Sequence, residues 1–144
     1  MTELRLAAFD LDDLGVISAQ VQDAVLTVAD IDWRPSERRL LIAMNRFAWD
    51  APHGFLRRDN ERRRSVLQFD RVNAVRTTGI RRDKGGEVLA MLALRFIAGD
   101  APSGAIEVVF AGNAALRAEV ECIEARLTDL GSRWQAASRP HHQV

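Results

Sequence analysis

Residues 105–131 read AIEVVFAGNAALRAEVECIEARLTDLG, and the parsing of this stretch decides the fold. Ile106, Val108 and Phe110 alternate with Ala105, Glu107 and Val109, the two-residue period of a half-buried strand. Gly112-Asn113 breaks the run, and asparagine is a good N-cap for a helix. Beyond it Leu116, Val120, Ile123, Leu127 and Leu130 recur at steps of four, three, four and three, so on a helix they form one apolar stripe. Glu119, Glu121, Arg126 and Asp129 fall off that stripe, and Gly131 stands where a glycine cap ends a helix. The spacing therefore predicts a strand, a tight turn and a long amphipathic helix over 113–130.

Working outward, the rest of the chain reads mostly as strands. Leu4, Leu6 and Ala8 alternate as a short first strand. Asp10 or Asp12 then caps a short helix whose Leu11, Leu14, Ile17 and Val21 fall at helical spacing. Residues 24–49 change period and read as a hairpin, with turn chemistry in Trp33-Arg34-Pro35-Ser36-Glu37. Residues 50–64 hold Pro52, Gly54 and a dense run of charges, and are expected to form an exposed loop. Over 65–80 the phase shifts at Asp70-Arg71, which predicts two strands joined by a tight bend, or one bulged strand. Residues 81–86 and 99–104 are polar turns, and 87–98 between them is a strand.

Composition narrows the class. The chain has 144 residues, 47% hydrophobic and 28% charged, the profile of a globular domain rather than a disordered one. One domain over 1–134 is expected, with 135–144 a disordered tail. The start carries no basic region followed by an apolar run, and no apolar segment approaches the roughly 20 residues of a membrane span. The single cysteine, Cys122, has no intramolecular disulfide partner. Together these features predict a cytoplasmic protein.

Net charge is zero, yet the charges are unevenly spread. Residues 1–32 carry seven acids against Arg5 alone, whereas residues 53–84 carry ten bases against four acids. Either the two segments neutralise each other in the fold, or the basic one is a binding surface. Neutralisation is the favoured expectation. Arg57, Arg58, Arg62, Arg63, Arg64, Arg81, Arg82 and Lys84 are the candidate surface for an anion or a protein partner, because clustered cations are what phosphate recognition requires.

No catalytic, metal or cofactor site is expected. His53 lies in a loop without a nucleophile pattern near any serine, and Cys122 between Glu121 and Ile123 reads as a small hydrophobe. His141-His142 lacks a second pair of ligands. Asp10, Asp12 and Asp13 lack the glycine and distal glutamate of a calcium loop. No glycine-rich dinucleotide or phosphate loop is present.

Phe9-Asp10-Leu11-Asp12-Asp13-Leu14 to Gln22-Asp23-Ala24, followed by Asn45-Arg46-Phe47-Ala48-Trp49, resembles an uncharacterised family of small bacterial proteins, domain of unknown function 2948. That resemblance implies no activity and no site residues. The succession of strands closed by a helix over 113–130 is also similar to the pleckstrin-homology-like superfold, whose bent antiparallel sheet is plugged by one C-terminal helix. The expected fold is therefore α+β: a bent antiparallel roll of about six or seven strands, with a short N-terminal helix and a long closing helix. The expected function is a non-enzymatic binding or adaptor module with a protein partner. The alternative is anion or nucleic-acid binding through the arginine-rich segment 57–84.

Overall fold

The structure is a computed structural model, and it describes residues 3–47 and 62–131. In chain order the elements are β1 (Arg5–Ala8), α1 (Leu11–Val21), β2 (Val25–Thr27), β3 (Ile31–Arg34), β4 (Arg39–Phe47), β5 (Arg62–Phe69) and β6 (Val72–Thr78). They continue with β7 (Val88–Ala98), β8 (Gly104–Phe110), β9 (Ala114–Val120) and β10 (Ala125–Asp129). Short 3₁₀ turns at Val28–Asp30 and Pro35–Glu37 bracket β3.

All ten strands belong to one antiparallel sheet, in the order β1-β10-β5-β4-β2-β7-β8-β9-β6, with β3 added to β4. The strands alternate inward and outward residues. In β4, Leu40, Ile42, Met44 and Arg46 are buried, while Arg39, Leu41, Ala43, Asn45 and Phe47 are less so. Such alternation is what one covered face of a pleated strand produces. α1 packs on that covered face through Leu14, Ile17 and Val21. Asp10 caps it, accepting the Asp13 N–H at 2.8 Å, and Ser18 Oγ accepts the Leu94 N–H at 3.0 Å. The bond to Leu94 falls just past a bulge in β7 between Met91 and Ala93.

The expected roll of six or seven strands closed by a long C-terminal helix is overturned. Residues 114–120 and 125–129 are strands, so the protein is mostly β, with ten strands and one short α-helix among the described residues. Ala114, Leu116, Ala118 and Val120 are all buried. The alanines complete a period of two that a stripe drawn through the larger residues misses. The steps of four, 116 to 120 and 123 to 127, are even numbers and fit a strand as well as a helix. The odd step between them falls at Glu121-Cys122, where the chain turns from β9 to β10. Gly112 and Asn113 have φ of 81° and 62°, so they form a hairpin turn, whereas an N-cap residue takes an extended conformation. The pleckstrin-homology-like likeness rested on that closing helix and falls with it. The helix that packs on the sheet is the N-terminal one.

Elsewhere the sequence reading holds more closely. β1 and α1 form where expected, and Asp70-Arg71 is a bend between two strands, with Arg71 left-handed at φ 59°. Part of the loop expected over 50–64 is strand, because Arg62–Phe69 pairs with β4 and β10. The remainder of that loop, and the tail expected at 135–144, lie outside the described residues.

Candidate functional site

Three strands have a partner on one side only: β1 beside β10, β3 beside β4 and β6 beside β9. The last two bound the candidate site. The curl of the sheet brings these edges to face each other, and backbone bonds tie them at both ends. At one end the Val72 N–H donates to the Arg38 carbonyl at 2.9 Å. There the Arg38 guanidinium also reaches Asn73 Oδ1 at 2.6 Å and the Glu121 carboxylate. At the other end the β6–β7 loop lies against the 3₁₀ turn at Val28–Asp30. The Ala29 N–H donates to the Gly85 carbonyl and the Val28 N–H to the Glu87 carbonyl, both at 3.0 Å.

Between the two ties lies a cleft of about 340 Å³. Ile31 and Trp33 of β3 form one wall, Val75 and Thr77 of β6 the other, and buried Leu116 of β9 the floor. Ile80, Arg82 and Gly85 close the loop end. The period of two explains the choice of residues: Asp32 and Arg34, or Arg76 and Thr78, take the exposed positions between and beyond the lining ones. Ile31, Trp33, Val75 and Ile80 are half-buried hydrophobics packed against the core. Polar groups in the lining are few: the Thr77 hydroxyl, the Trp33 indole N–H and the Arg82 guanidinium. Among the described residues the lining holds no carboxylate, histidine or cysteine, and its walls are mainly apolar.

The candidate arginine surface is divided by the fold. Arg57 and Arg58 lie outside the described residues, as do His53 and the His141-His142 pair. Arg62 stacks over the Phe47 ring at 4.1 Å. Arg63 is half-buried opposite Arg46, and Arg64 pairs with Asp30 at 3.1 Å. Arg81, Arg82 and Lys84 are exposed together on the β6–β7 loop, and none has an ion-pair partner among the described residues. The acidic and basic segments meet at Arg64–Asp30. Other charges are settled elsewhere, with Asp32 on Arg34 at 2.9 Å and Arg71 on Glu124 at 3.0 Å. Cys122 is half-buried in the β9–β10 turn rather than on a helix.

A second polar centre was not anticipated from the sequence. Arg46 and Ser65 are fully buried and Asp129 is 3% exposed. Arg46 binds Asp129 with two parallel bonds, Nε to Oδ1 at 2.9 Å and Nη2 to Oδ2 at 2.8 Å. Ser65 Oγ donates to Asp129 Oδ1 at 2.6 Å, and the Leu4 N–H donates to Oδ2 at 2.9 Å. Gln20 of α1 and the Phe47 carbonyl accept from Arg46 Nη1. Burial pushes the Asp129 carboxyl up, but the bonds from Arg46, Ser65 and Leu4, with the Arg46 charge, outweigh it and hold the group below the usual carboxylate range. The cluster joins β1, β4, β5, β10 and α1. Its two charges answer each other inside the core and tie five elements together, which is a scaffold role.

Residues 4–142 match the model of the family described as "Protein of unknown function (DUF2948)". The chain belongs to that family. No curated protein and no solved structure matches it. No helix among the described residues is long and apolar enough to cross a membrane.

Proposed function

We propose that this protein is a non-enzymatic binding module whose cleft between β3 and β6 takes a small apolar ligand. One observation carries the reading: half-buried hydrophobics of two unpaired strand edges converge on an opening that the chain holds apart and ties at both ends. Its volume lies at the lower end of the range for small-molecule sites. Buried apolar walls supply the affinity, at about 25 cal/mol per Å² removed from water. A cytoplasmic setting, as the lone cysteine implies, belongs to the same proposal.

A neutral fluorescent probe, N-phenyl-1-naphthylamine, tests it by titration into isotope-labelled protein. Amide shifts should concentrate at Ile31, Trp33, Val75 and Thr77, and Val75→Trp, which fills the cleft, should abolish binding. Absence of binding, or binding that Val75→Trp leaves intact, refutes the cleft as the site.

The second reading, anion or nucleic-acid binding through the arginine-rich segment, is favoured by Arg81, Arg82 and Lys84, which share one loop and have no ion-pair partner among the described residues. It is weakened by Arg62 and Arg64, which are already engaged with Phe47 and Asp30. A salt titration against single- and double-stranded oligonucleotides separates the two. Micromolar binding that falls steeply with salt supports the second reading.

A further inference from the structure

We infer that the ligand of this cleft is a small amphipathic anion, with its apolar body between β3 and β6 and its carboxylate or phosphate head at Arg82. The inference rests on the cleft being a binding site and adds the chemical class of what it holds.

The shape argues against a peptide strand, the usual occupant of a free sheet edge. An added strand needs room for several residues along the edge it pairs with, at about 3.3 Å per residue. Here the Val72–Arg38 bond closes one end, and the Ala29–Gly85 and Val28–Glu87 bonds close the other. A discrete small molecule avoids that conflict.

The charge at the site chooses among small molecules. Arg82 is the charged residue of the lining, it is exposed, and it has no ion-pair partner among the described residues. Two acids close to the walls are already engaged, Asp30 by Thr27 and Arg64 and Asp32 by Arg34, and the exposed Glu87 does not line the cleft. Asp83 follows Arg82 on the loop but does not line the cleft. The loop backbone is ordered by turns, with the Lys84 N–H on the Arg81 carbonyl and the Glu87 N–H on the Lys84 carbonyl, each at 3.0 Å. Arg82 is thus presented from a fixed frame, and a guanidinium binds carboxylate or phosphate through paired N–H donors. Thr77 adds a hydroxyl on the opposite wall.

Decanoate, decyl phosphate and 1-decanol, each below its micelle concentration, test the head group by calorimetry on the full chain. Wild type should bind both anions more tightly than the alcohol. Arg82→Gln should weaken the anions about tenfold or more, the scale of a lost charge-assisted hydrogen bond, and move the alcohol by less than twofold. Arg95→Gln, on the outer face of β7, controls for general electrostatics and should change none of the three. If the alcohol binds as tightly as the anions and Arg82→Gln spares all of them, the anionic head is wrong while the apolar cleft stands. If the naphthylamine probe also fails to bind, the cleft itself is wrong. Binding to phosphatidylglycerol vesicles that Arg82→Gln abolishes, with no binding of free decanoate, would overturn the inference in favour of a membrane headgroup.

Discussion

The Arg46–Asp129 cluster and the β3–β6 cleft are two answers to the same problem, how a curled sheet finishes its edges. At the first, the edge strand β1 is fastened by polar groups that satisfy one another: the Leu4 N–H donates to the Asp129 carboxylate and the Asp129 N–H donates to the Leu4 carbonyl. At the second, two edges face each other with side chains between them that touch on one side only. A finished edge contributes to stability. An unfinished one is free to contribute to binding, and in natural proteins an open edge is otherwise a hazard that must be managed. The comparison predicts that substitutions at the cluster move stability, and that those at the cleft move ligand affinity.

The largest effect should come from breaking the buried pair. Asp129→Ala takes the two-bond carboxylate away from a fully buried Arg46, and should cost about 3–5 kcal/mol in denaturant unfolding. A loss below about 1 kcal/mol would mean that water reaches the cluster and that the contrast with the cleft is false. Acid stability gives a second reading of the same group. The folded carboxyl is held below its ordinary value, about 3.9, so its contribution is complete above that value and disappears as pH falls through the lowered one. Asp129→Asn should therefore flatten the dependence of stability on pH below about 4, relative to wild type. Asp70, lowered as well by Arg39 and Gln68 against its own desolvation, should leave a residual slope.

Neither centre was legible in the sequence, for different physical reasons. Arg46 and Asp129 are 83 positions apart, and each interrupts an apolar alternation on the inward parity of its strand. A charge at an inward position was the available signal, and it becomes readable only once β10 is recognised as a strand. That recognition failed because alanine, leucine, arginine and glutamate favour helices, and the larger hydrophobics of 116–130 fall at steps shared by both periods. Pairing with β8, β5 and β1 overrode that propensity. The cleft was hidden by topology. Ile31, Trp33, Val75 and Thr77 are ordinary strand residues, and no local pattern says that β3 and β6 carry free edges facing one another. By contrast β1, α1 and the Asp70-Arg71 bend were readable, since a cap, a period and a turn are local.

A pair of truncations sharpens the comparison at intermediate size. Leu67→Ala removes a fully buried side chain beside the cluster and should cost about 2–5 kcal/mol, because the cavity left behind cannot collapse. Val75→Ala enlarges an opening that already exists beside a half-buried residue, and should cost about 1 kcal/mol or less. Equal losses from the two would show that the cleft is packed core in solution, with β3 and β6 drawn together.

The smallest expected effect is the most informative about the cleft. Arg82→Gln removes a charge from an exposed side chain with no ion-pair partner among the described residues, so stability should change by no more than about 0.5 kcal/mol. Removing Arg64 offers the calibration, since its partly buried pair with Asp30 should be worth roughly 0–1 kcal/mol by itself. A loss above about 1 kcal/mol from Arg82→Gln would place this arginine among the groups that hold the β6–β7 loop down. The cleft rim would then be structural in the same sense as the buried cluster. A flat result shows that the fold does not need a guanidinium at this position. A charge that the fold does not need, placed at the mouth of an apolar opening, is free to meet an anion from outside.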